Sequence, residues 1–314
     1  MQTSRIKNLR KMKAGIRIAV FAILVLFACD WNAVAQDTTS TAPGSGASED
    51  RTRQLWNTQF QQKRPIAQAA QRSGAQAAQS AANSSPPPAD ALGDSLVGVT
   101  VWRLRPSQQD DAGVRIISSD NPLQWTPVRV EGTTPLAEGE KVRVGIEAAR
   151  TGYLYVVDRE QYKDGTYGAA YLIFPTLRLH GGENAVSAGV LIEIPSFGDN
   201  PPYLTMRASR PDQVAEVLTV IVAPQPLKEV QVSRDPIKID PAQLQQWDRQ
   251  WGSKVERLEA RTQAGKAYTQ AEKQAGGDHT RLLTHDDPLP QTMYHVDAKP
   301  GDPLMLDVPL RIGR

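Results

Sequence analysis

The stretch that decides the fold is Gly152-Tyr153-Leu154-Tyr155-Val156-Val157-Asp158, followed by Asp164-Gly165 and Tyr171-Leu172-Ile173-Phe174-Pro175. Both apolar runs are short and rich in β-branched and aromatic residues, which is typical of strands that are buried on both faces or paired centrally. Asp-Gly between them suits a turn, because glycine adopts positive φ without strain. The stretch therefore predicts two strands joined by a turn, with Tyr153, Tyr155, Tyr171 and Phe174 filling the core of the fold.

Further strand patterns lie on both sides of this stretch. Apolar residues alternate at Val97–Val101, Val142–Ile146 and Val190–Ile194, and Leu218–Val222 is a continuous apolar run. Seven or eight short strands without a helical period between them indicate an antiparallel sandwich. We therefore predict a mainly β fold, a β-sandwich over residues 95–227 that is Ig-like in outline, and this counts against an α/β enzyme fold.

The pattern changes after residue 237. Asp240 is a suitable helix N-cap and Pro241 suits the first helical position, so we predict an amphipathic helix over 238–277. Its apolar seam consists of Leu244, Trp247, Trp251, Val255 and Leu258.

We expect this seam to pack on the sandwich. A homodimer through the Leu244–Leu258 seam, or a partner bound at Trp247 and Trp251, are the alternatives. Residues 278–314 predict a loop and a C-terminal β-hairpin with its turn at 299–302.

The N-terminus has the pattern of an export signal. Six basic residues precede the apolar run 18–28, and Ala33-Val34-Ala35 forms an A-x-A cleavage pattern. The run is too short for a spanning helix, which needs about 20 apolar residues. We predict a signal peptide over 1–35, with lipidation at Cys29 or an uncleaved anchor as alternatives.

Removing residues 1–35 changes the charge of the chain. The full chain has a formal charge of +2, whereas the remainder from Gln36 has 30 basic and 33 acidic residues, a charge of −3. A mildly acidic chain with scattered basic residues argues against nucleic-acid binding. One cysteine excludes a disulfide framework, an iron–sulfur cluster and a CxxC zinc site.

Residues 36–94 are rich in Ala, Gln and Pro and contain few large apolar residues. Such a segment buries too little apolar surface to offset chain entropy, so we predict a disordered tether that ends in a stiff stretch at Pro86-Pro87-Pro88. Within it, Gln54 to Phe60 is either a short peptide-docking motif or a few isolated apolar residues in a linker.

The central stretch resembles the domain of unknown function 4384 family. Gly139-Glu140-Lys141-Val142, the run from Gly152, the Asp164-Gly165 turn, Phe174-Pro175 and Ile194-Pro195 carry the resemblance, which covers residues 95–224. The matching residues include Gly152, Tyr153, Tyr155, Asp164, Gly165, Phe174 and Pro175, for which we expect structural roles. The resemblance implies an exported or envelope-associated module without an established activity.

Established catalytic signatures such as GxSxG, HExxH and the Walker loop are absent from the sequence. Asp278-His279 and His285-Asp286-Asp287 contain metal-ligating residue types, and Asp158, Glu160 and Asp164 have a spacing that calcium uses. Neither group has the order of a dedicated site, so we predict solvated loops in both places. No catalytic, metal or cofactor site is therefore predicted.

The sequence thus predicts an exported, envelope-associated, non-enzymatic β-sandwich that binds a protein or an envelope polymer. The expected location is the periplasm or the medium, with membrane contact only through a lipid on Cys29. The alternatives are a hydrolase or metal-dependent enzyme that uses the late His/Asp segment, and the structural homodimer.

Overall fold

The computed structural model describes residues 50–52, 54–66, 95–111, 113–118, 121–277 and 281–313. The described strands are β1 (Leu96–Pro106), β2 (Ile116–Ser118), β3 (Asn121–Val130), β4 (Leu136–Ala137), β5 (Lys141–Ala148), β6 (Gly152–Tyr162), β7 (Tyr171–Phe174), β8 (Ala185–Val186), β9 (Leu191–Ile194), β10 (Leu204–Thr205), β11 (Gln213–Ala223), β12 (Ile237–Lys238), β13 (Val255–Glu259), β14 (Thr292–Val296) and β15 (Leu304–Gly313). Two α-helices lie among the described residues after β12, α1 (Pro241–Trp251) and α2 (Gln270–Gly276). The signal peptide predicted over 1–35 lies outside the described residues.

The strands form two sheets, which confirms the mainly β prediction. Sheet 1 has the order β10-β5-β1-β14-β13, and β3 also pairs with β1, β2 with β3 and β9 with β5. Sheet 2 has the order β12-β7-β6-β11-β15-β4, and β8 pairs with β6. All pairs are antiparallel except β15 with β4, which are parallel.

The main core lies between the two sheets. Alternate residues of β1 and β5, such as Val99 and Val144, face Leu154 and Val156 of β6 and Val220 of β11. Because strand side chains alternate between faces, the remaining residues of these strands point to the outer faces of the sheets. Each outer face therefore needs its own cover.

The aromatic residues of the central stretch occupy these two faces differently. Phe174 lies in the core between the sheets, as predicted. Tyr155 and the half-buried Tyr153 instead lie on the outer face of sheet 2, and Tyr171 is 43% exposed. The prediction that all four fill the inter-sheet core was wrong, because Leu154 and Val156 take the inward positions of β6 and the pleat turns their neighbours outward.

The helix predicted over 238–277 is also wrong in extent. The Asp240 side chain accepts a hydrogen bond from the Ala242 N–H and caps α1, but α1 ends at Trp251 before Gly252. Val255–Glu259 then pairs with β14 as a strand. A separate helix, α2, begins after Thr269, which forms a capping box with Glu272.

The predicted Leu244–Leu258 seam does not exist as one helix face. Leu244 and Trp247 pack on the outer face of sheet 2, whereas Leu258 is buried on the outer face of sheet 1. Leu244, Trp247 and Leu258 are therefore buried within the chain, whereas Trp251 is half-buried and Val255 is 37% exposed.

The C-terminal strands extend the sandwich beyond the predicted boundary at residue 227. β14 and β15 are joined by a turn in which the Asp302 N–H donates to the Lys299 carbonyl. β14 pairs with β1 in sheet 1 and β15 pairs with β11 in sheet 2. Both sheets are therefore completed by residues distant in sequence from their neighbours.

Leu154→Ala is expected to lower the free energy of unfolding by about 2–5 kcal/mol, because Leu154 is 1% exposed in the inter-sheet core. Leu177→Ala is the matched control, since Leu177 is 57% exposed and such a change usually alters stability by about 0.5 kcal/mol or less. Urea denaturation of the two variants measures both values. Equal losses would contradict the assignment of the core.

Candidate functional site

A segment from the predicted tether lies on the outer face of sheet 1. Residues Trp56–Phe60 form a π-helical turn and Gln61–Lys63 a 3-10 turn, after which Arg64 is extended before Pro65. An extended residue before proline is the expected conformation, because the proline ring disfavours helix there. We call residues 54–66 the docked segment, and the prediction of a disordered tether is wrong for it.

Two aromatic side chains fix the docked segment on the sheet. Trp56 and Phe60 stack with their ring centroids 5.3 Å apart, and both are buried. They pack with Leu96 of β1, Ala149, Leu258 of β13 and Met293 of β14. We call this apolar patch, together with Glu147, the docking face.

Arg64 is the third anchor and is fully buried. Its Nη2 donates to both carboxylate oxygens of Glu147, at 2.7 and 2.8 Å, and its Nε donates to Oε2 at 3.0 Å. Its Nη1 lies 3.1–3.3 Å from the carbonyl oxygens of Thr284, Asp287 and Pro288. The guanidinium also lies 4.5 Å from the Trp56 ring centroid. Arg64 therefore contacts the Glu147 carboxylate, three backbone carbonyl groups and the Trp56 ring.

Arg64 and Glu147 are both buried, so each is the ion-pair partner of the other. Burial raises the pKa of the Glu147 carboxyl, and the positive charge of Arg64 opposes this effect without cancelling it. Breaking a buried ion pair by removing one partner leaves an uncompensated charge, which is strongly destabilising. Removal of Arg64 would therefore leave the buried Glu147 carboxyl without its ion-pair partner.

Two further buried ion pairs continue along the same outer face. Arg129 of β3 pairs with Glu272 of α2, and Arg143 of β5 pairs with Glu193 of β9 at 2.6 Å. Tyr268 donates a hydrogen bond to Glu193. α2 and its flanking residues cover these pairs as the docked segment covers Glu147, so the outer face of sheet 1 is closed by two separate elements.

The docking role of Arg64 was not predicted from the sequence, because a charged side chain in a segment of low apolar content is typical of solvent-exposed chain. The available signal was the spacing of Trp56, Phe60 and Arg64, which follow one another at intervals of four residues. The alternative interpretation of Gln54 to Phe60 as a peptide-docking motif agrees with their position in the structure.

The residues that carry the family resemblance lie in strands and turns, where their contacts hold the backbone in place. A Cβ at Gly152 would lie 2.5 Å from the Ala223 carbonyl oxygen, and Gly165 has a φ of +84° that favours glycine. The Asp164 carboxylate accepts hydrogen bonds from the Thr166 N–H and hydroxyl, and the Tyr155 hydroxyl accepts one from the Leu227 N–H. Pro175 directly follows the buried Phe174.

The two candidate interaction residues on α1 lie beside a groove. Trp247 is buried and Trp251 half-buried, with ring centroids 5.6 Å apart. The neighbouring groove, of about 550 Å³, lies between α1, β15 and the residues after β6. Its floor includes Leu244 and Met305, and Arg159 pairs with Asp307 at 2.8 Å in its wall.

The solvated loop that we predicted for Asp158–Gly165 is confined to the exposed turn at 163–165, and the prediction was wrong for Asp158 and Glu160. β6 continues to Tyr162, and Asp158 and Glu160 take inward positions at the end of the sandwich, opposite Leu218 and Glu216 of β11. They line a cavity of about 590 Å³ with Glu138 and Arg207. Asp164 lies in the following turn, away from them.

The carboxyl groups of Asp158 and Glu216 perturb each other. Asp158 Oδ1 and Glu216 Oε2 are buried and have no donor among the described residues. Burial raises the pKa of Asp158 to about 6, and burial together with the charge of Asp158 raises the pKa of Glu216 to about 8. The pair therefore holds a proton at neutral pH.

The described part of the late His/Asp segment forms a turn that contacts Arg64. Asp278 and His279 lie outside the described residues. The Asp287 carboxylate is occupied by Arg281, the Thr284 N–H and the Thr284 hydroxyl, and the resulting turn presents carbonyl groups to Arg64. Within the described ranges no group of three His, Cys, Asp or Glu residues is arranged to hold a metal ion.

Comparison of the chain with protein-family models, curated proteins and solved structures gives no match. The resemblance to the domain of unknown function 4384 family therefore stays a prediction. In the part of the chain that the structure describes, no helix has the length and apolar character needed to cross a bilayer.

Glu216 makes stability depend on pH in a defined direction. Its pKa is raised from 4.5 to about 8 on folding, so between these values the unfolded chain has released a proton that the folded chain retains. The free energy of unfolding is therefore expected to fall as the pH rises from 5 to 8 and to level off above this range.

Glu216→Gln removes this titration and is expected to flatten the pH dependence and to raise the urea midpoint at pH 8 relative to the wild type. Burial raises the pKa of Glu193 to about 7, so Glu193 also contributes to the pH dependence of stability, in the variant as in the wild type. The exposed Glu229→Gln serves as the control. An unchanged slope in Glu216→Gln would contradict the proton-holding pair.

Glu147→Gln leaves the Arg64 guanidinium buried without its carboxylate, a loss of about 3–5 kcal/mol for such pairs. The docked segment is therefore expected to be cleaved by chymotrypsin at Phe60 about tenfold faster or more than in the wild type. Adding Arg64→Gln removes the stranded charge and is expected to slow the cleavage again, whereas the exposed Glu183→Gln is expected to behave like the wild type. Equal cleavage in all four proteins would exclude the ion pair as an anchor.

Proposed function

We propose that this chain is an exported, non-enzymatic binding protein of the bacterial envelope and that it binds a partner polypeptide through the docking face. The observation that carries the proposal is the burial of Trp56, Phe60 and Arg64 from a separate segment. Their contacts lie far away in sequence, with Glu147 83 positions from Arg64. A surface that holds a short segment by two aromatic residues and an arginine has the composition of a protein-recognition surface.

Export is proposed from the N-terminal sequence. A basic flank, an apolar run and an A-x-A pattern together are typical of a secretory signal. Mass spectrometry of the protein isolated from its native cell is expected to give a chain that begins at Gln36, or at a lipid-modified Cys29. A cytosolic chain with intact residues 1–35 would contradict export.

The position of the binding surface is tested by photo-crosslinking in the native cell. A photo-reactive residue replaces Glu256, which lies at the rim of the docking face and pairs with Arg51 at 2.8 Å. We expect a discrete crosslinked envelope protein from this position, with higher yield when Trp56→Ala and Phe60→Ala vacate the docking face.

The matched control carries the same photo-reactive residue at Gln245, which is exposed on α1 against the opposite sheet. No crosslink from position 256 in either background would overturn the proposal. A crosslink from position 245 alone would assign the binding surface to the groove beside α1.

A further inference from the structure

We propose that the docking face recognises a segment with the pattern aromatic-x3-aromatic-x3-Arg, in which the two aromatic residues lie on a helical turn and the arginine follows it in extended conformation, and that the docked segment is its tethered competitor. This proposal rests on the proposed function and adds to it the chemistry of the partner and the regulation of the surface. The partner is a polypeptide segment that resembles residues 54–66 of this chain.

The pattern follows from where the three anchors meet the sheet. Residues four apart lie on the same side of a helical segment, so Trp56 and Phe60 present one apolar side to Met293 and Leu258. Arg64 extends that side to Glu147 at the end of the segment. Asn57 and Gln62 point to solvent and impose no requirement on a partner.

The last anchor is specific for arginine. Glu147 accepts three hydrogen bonds from Nε and Nη2 of the guanidinium, and three carbonyl oxygens lie around Nη1 on another side. A planar fork of five donors fits this arrangement, whereas the compact ammonium group of lysine has three donors on one atom. Lysine in place of Arg64 is therefore expected to weaken binding.

The docked segment is attached without belonging to either sheet. It is helical, and sheets 1 and 2 consist of β1–β15. Its covalent connection to β1 runs through residues 67–94, 28 residues that span at most roughly 90–100 Å when fully extended. An external segment can therefore replace it on the docking face without breaking a strand pair.

Tethering sets the strength of the competition. Covalent attachment through a 28-residue connection raises the local concentration of the docked segment, to a value on the order of 1 mM where the linker lets the segment reach its site. For a segment with an intrinsic dissociation constant of roughly 10 µM, the tethered copy weakens the apparent affinity of an external copy about 100-fold. The docking face is thus largely closed to a partner of equal intrinsic affinity.

The test uses the full chain and a fluorescent peptide of residues 50–66, followed by fluorescence anisotropy. We expect the peptide to bind the Trp56→Ala/Phe60→Ala chain about 100-fold more tightly than the wild type. The Asn57→Ala/Gln62→Ala chain changes exposed positions of the same segment and is expected to bind as weakly as the wild type. Equal affinity for all three chains would overturn the competition, and binding to none would overturn the recognition.

Specificity is measured on the vacated chain with two peptide variants. Arg64→Lys in the peptide is expected to weaken binding about tenfold or more, and Gln62→Ala to leave it unchanged. Equal affinity of the Arg64→Lys and native peptides would contradict the arginine requirement.

A second measurement keeps both surfaces native. A protease recognition sequence is inserted among residues 67–94, and its cleavage under native conditions is verified by mass spectrometry, after which the segment is held by its contacts alone. We expect the cleaved segment to remain bound at high protein concentration and to dissociate on dilution into the micromolar range. Retention at nanomolar concentration would exclude a displaceable competitor.

These results are distinct from a failure of the proposed function. The peptide experiments can succeed while position 256 gives no crosslink in the cell, which would leave the recognition intact and remove the envelope partner. A crosslink from position 256 without peptide binding would keep the function and overturn this inference.

Discussion

The alternation of side chains along β1, β5, β6 and β11 is the constraint on which the other elements depend. Once Val99, Val144 and Leu154 point into the inter-sheet core, their neighbours must point outward. Those neighbours include large or charged residues such as Trp102, Arg143 and Tyr155, so each sheet has an outer face that requires a cover. α1 covers sheet 2, whereas α2 and the docked segment cover sheet 1.

The two covers use different physical interactions. Sheet 2 is covered mainly by apolar contacts of Leu244 and Trp247, which stabilise by excluding water. Sheet 1 adds three buried Arg–Glu pairs to its apolar patches. Buried ion pairs contribute less to net stability than apolar contacts of similar size, but they penalise a wrong or missing partner heavily. This difference is the reason why we assign the proposed binding to the outer face of sheet 1.

Most of the sandwich was predictable because its signals are local. The alternation in β1 and β5, the apolar runs of β6, β7 and β11, and the Asp240 cap of α1 each appear within a few residues. The predicted helix over 238–277 failed because Val255–Glu259 pairs with β14, a strand more than 30 positions later. Whether a short segment with a mixed pattern forms a helix or a strand depends on such distant pairing partners.

The sequence alone predicted the two-sheet class of fold, its turns and the start of α1. It also led to the expectation of export. Only the tertiary structure decided that residues 54–66 pack on sheet 1, that Tyr155 faces outward, and that Asp158 and Glu216 share a buried end of the sandwich. The physical reason is that an arginine or a carboxylate becomes a buried residue only through a partner from elsewhere in the chain. Arg64 has the same sequence neighbours whether or not Glu147 is present, and its burial depends on that distant carboxylate.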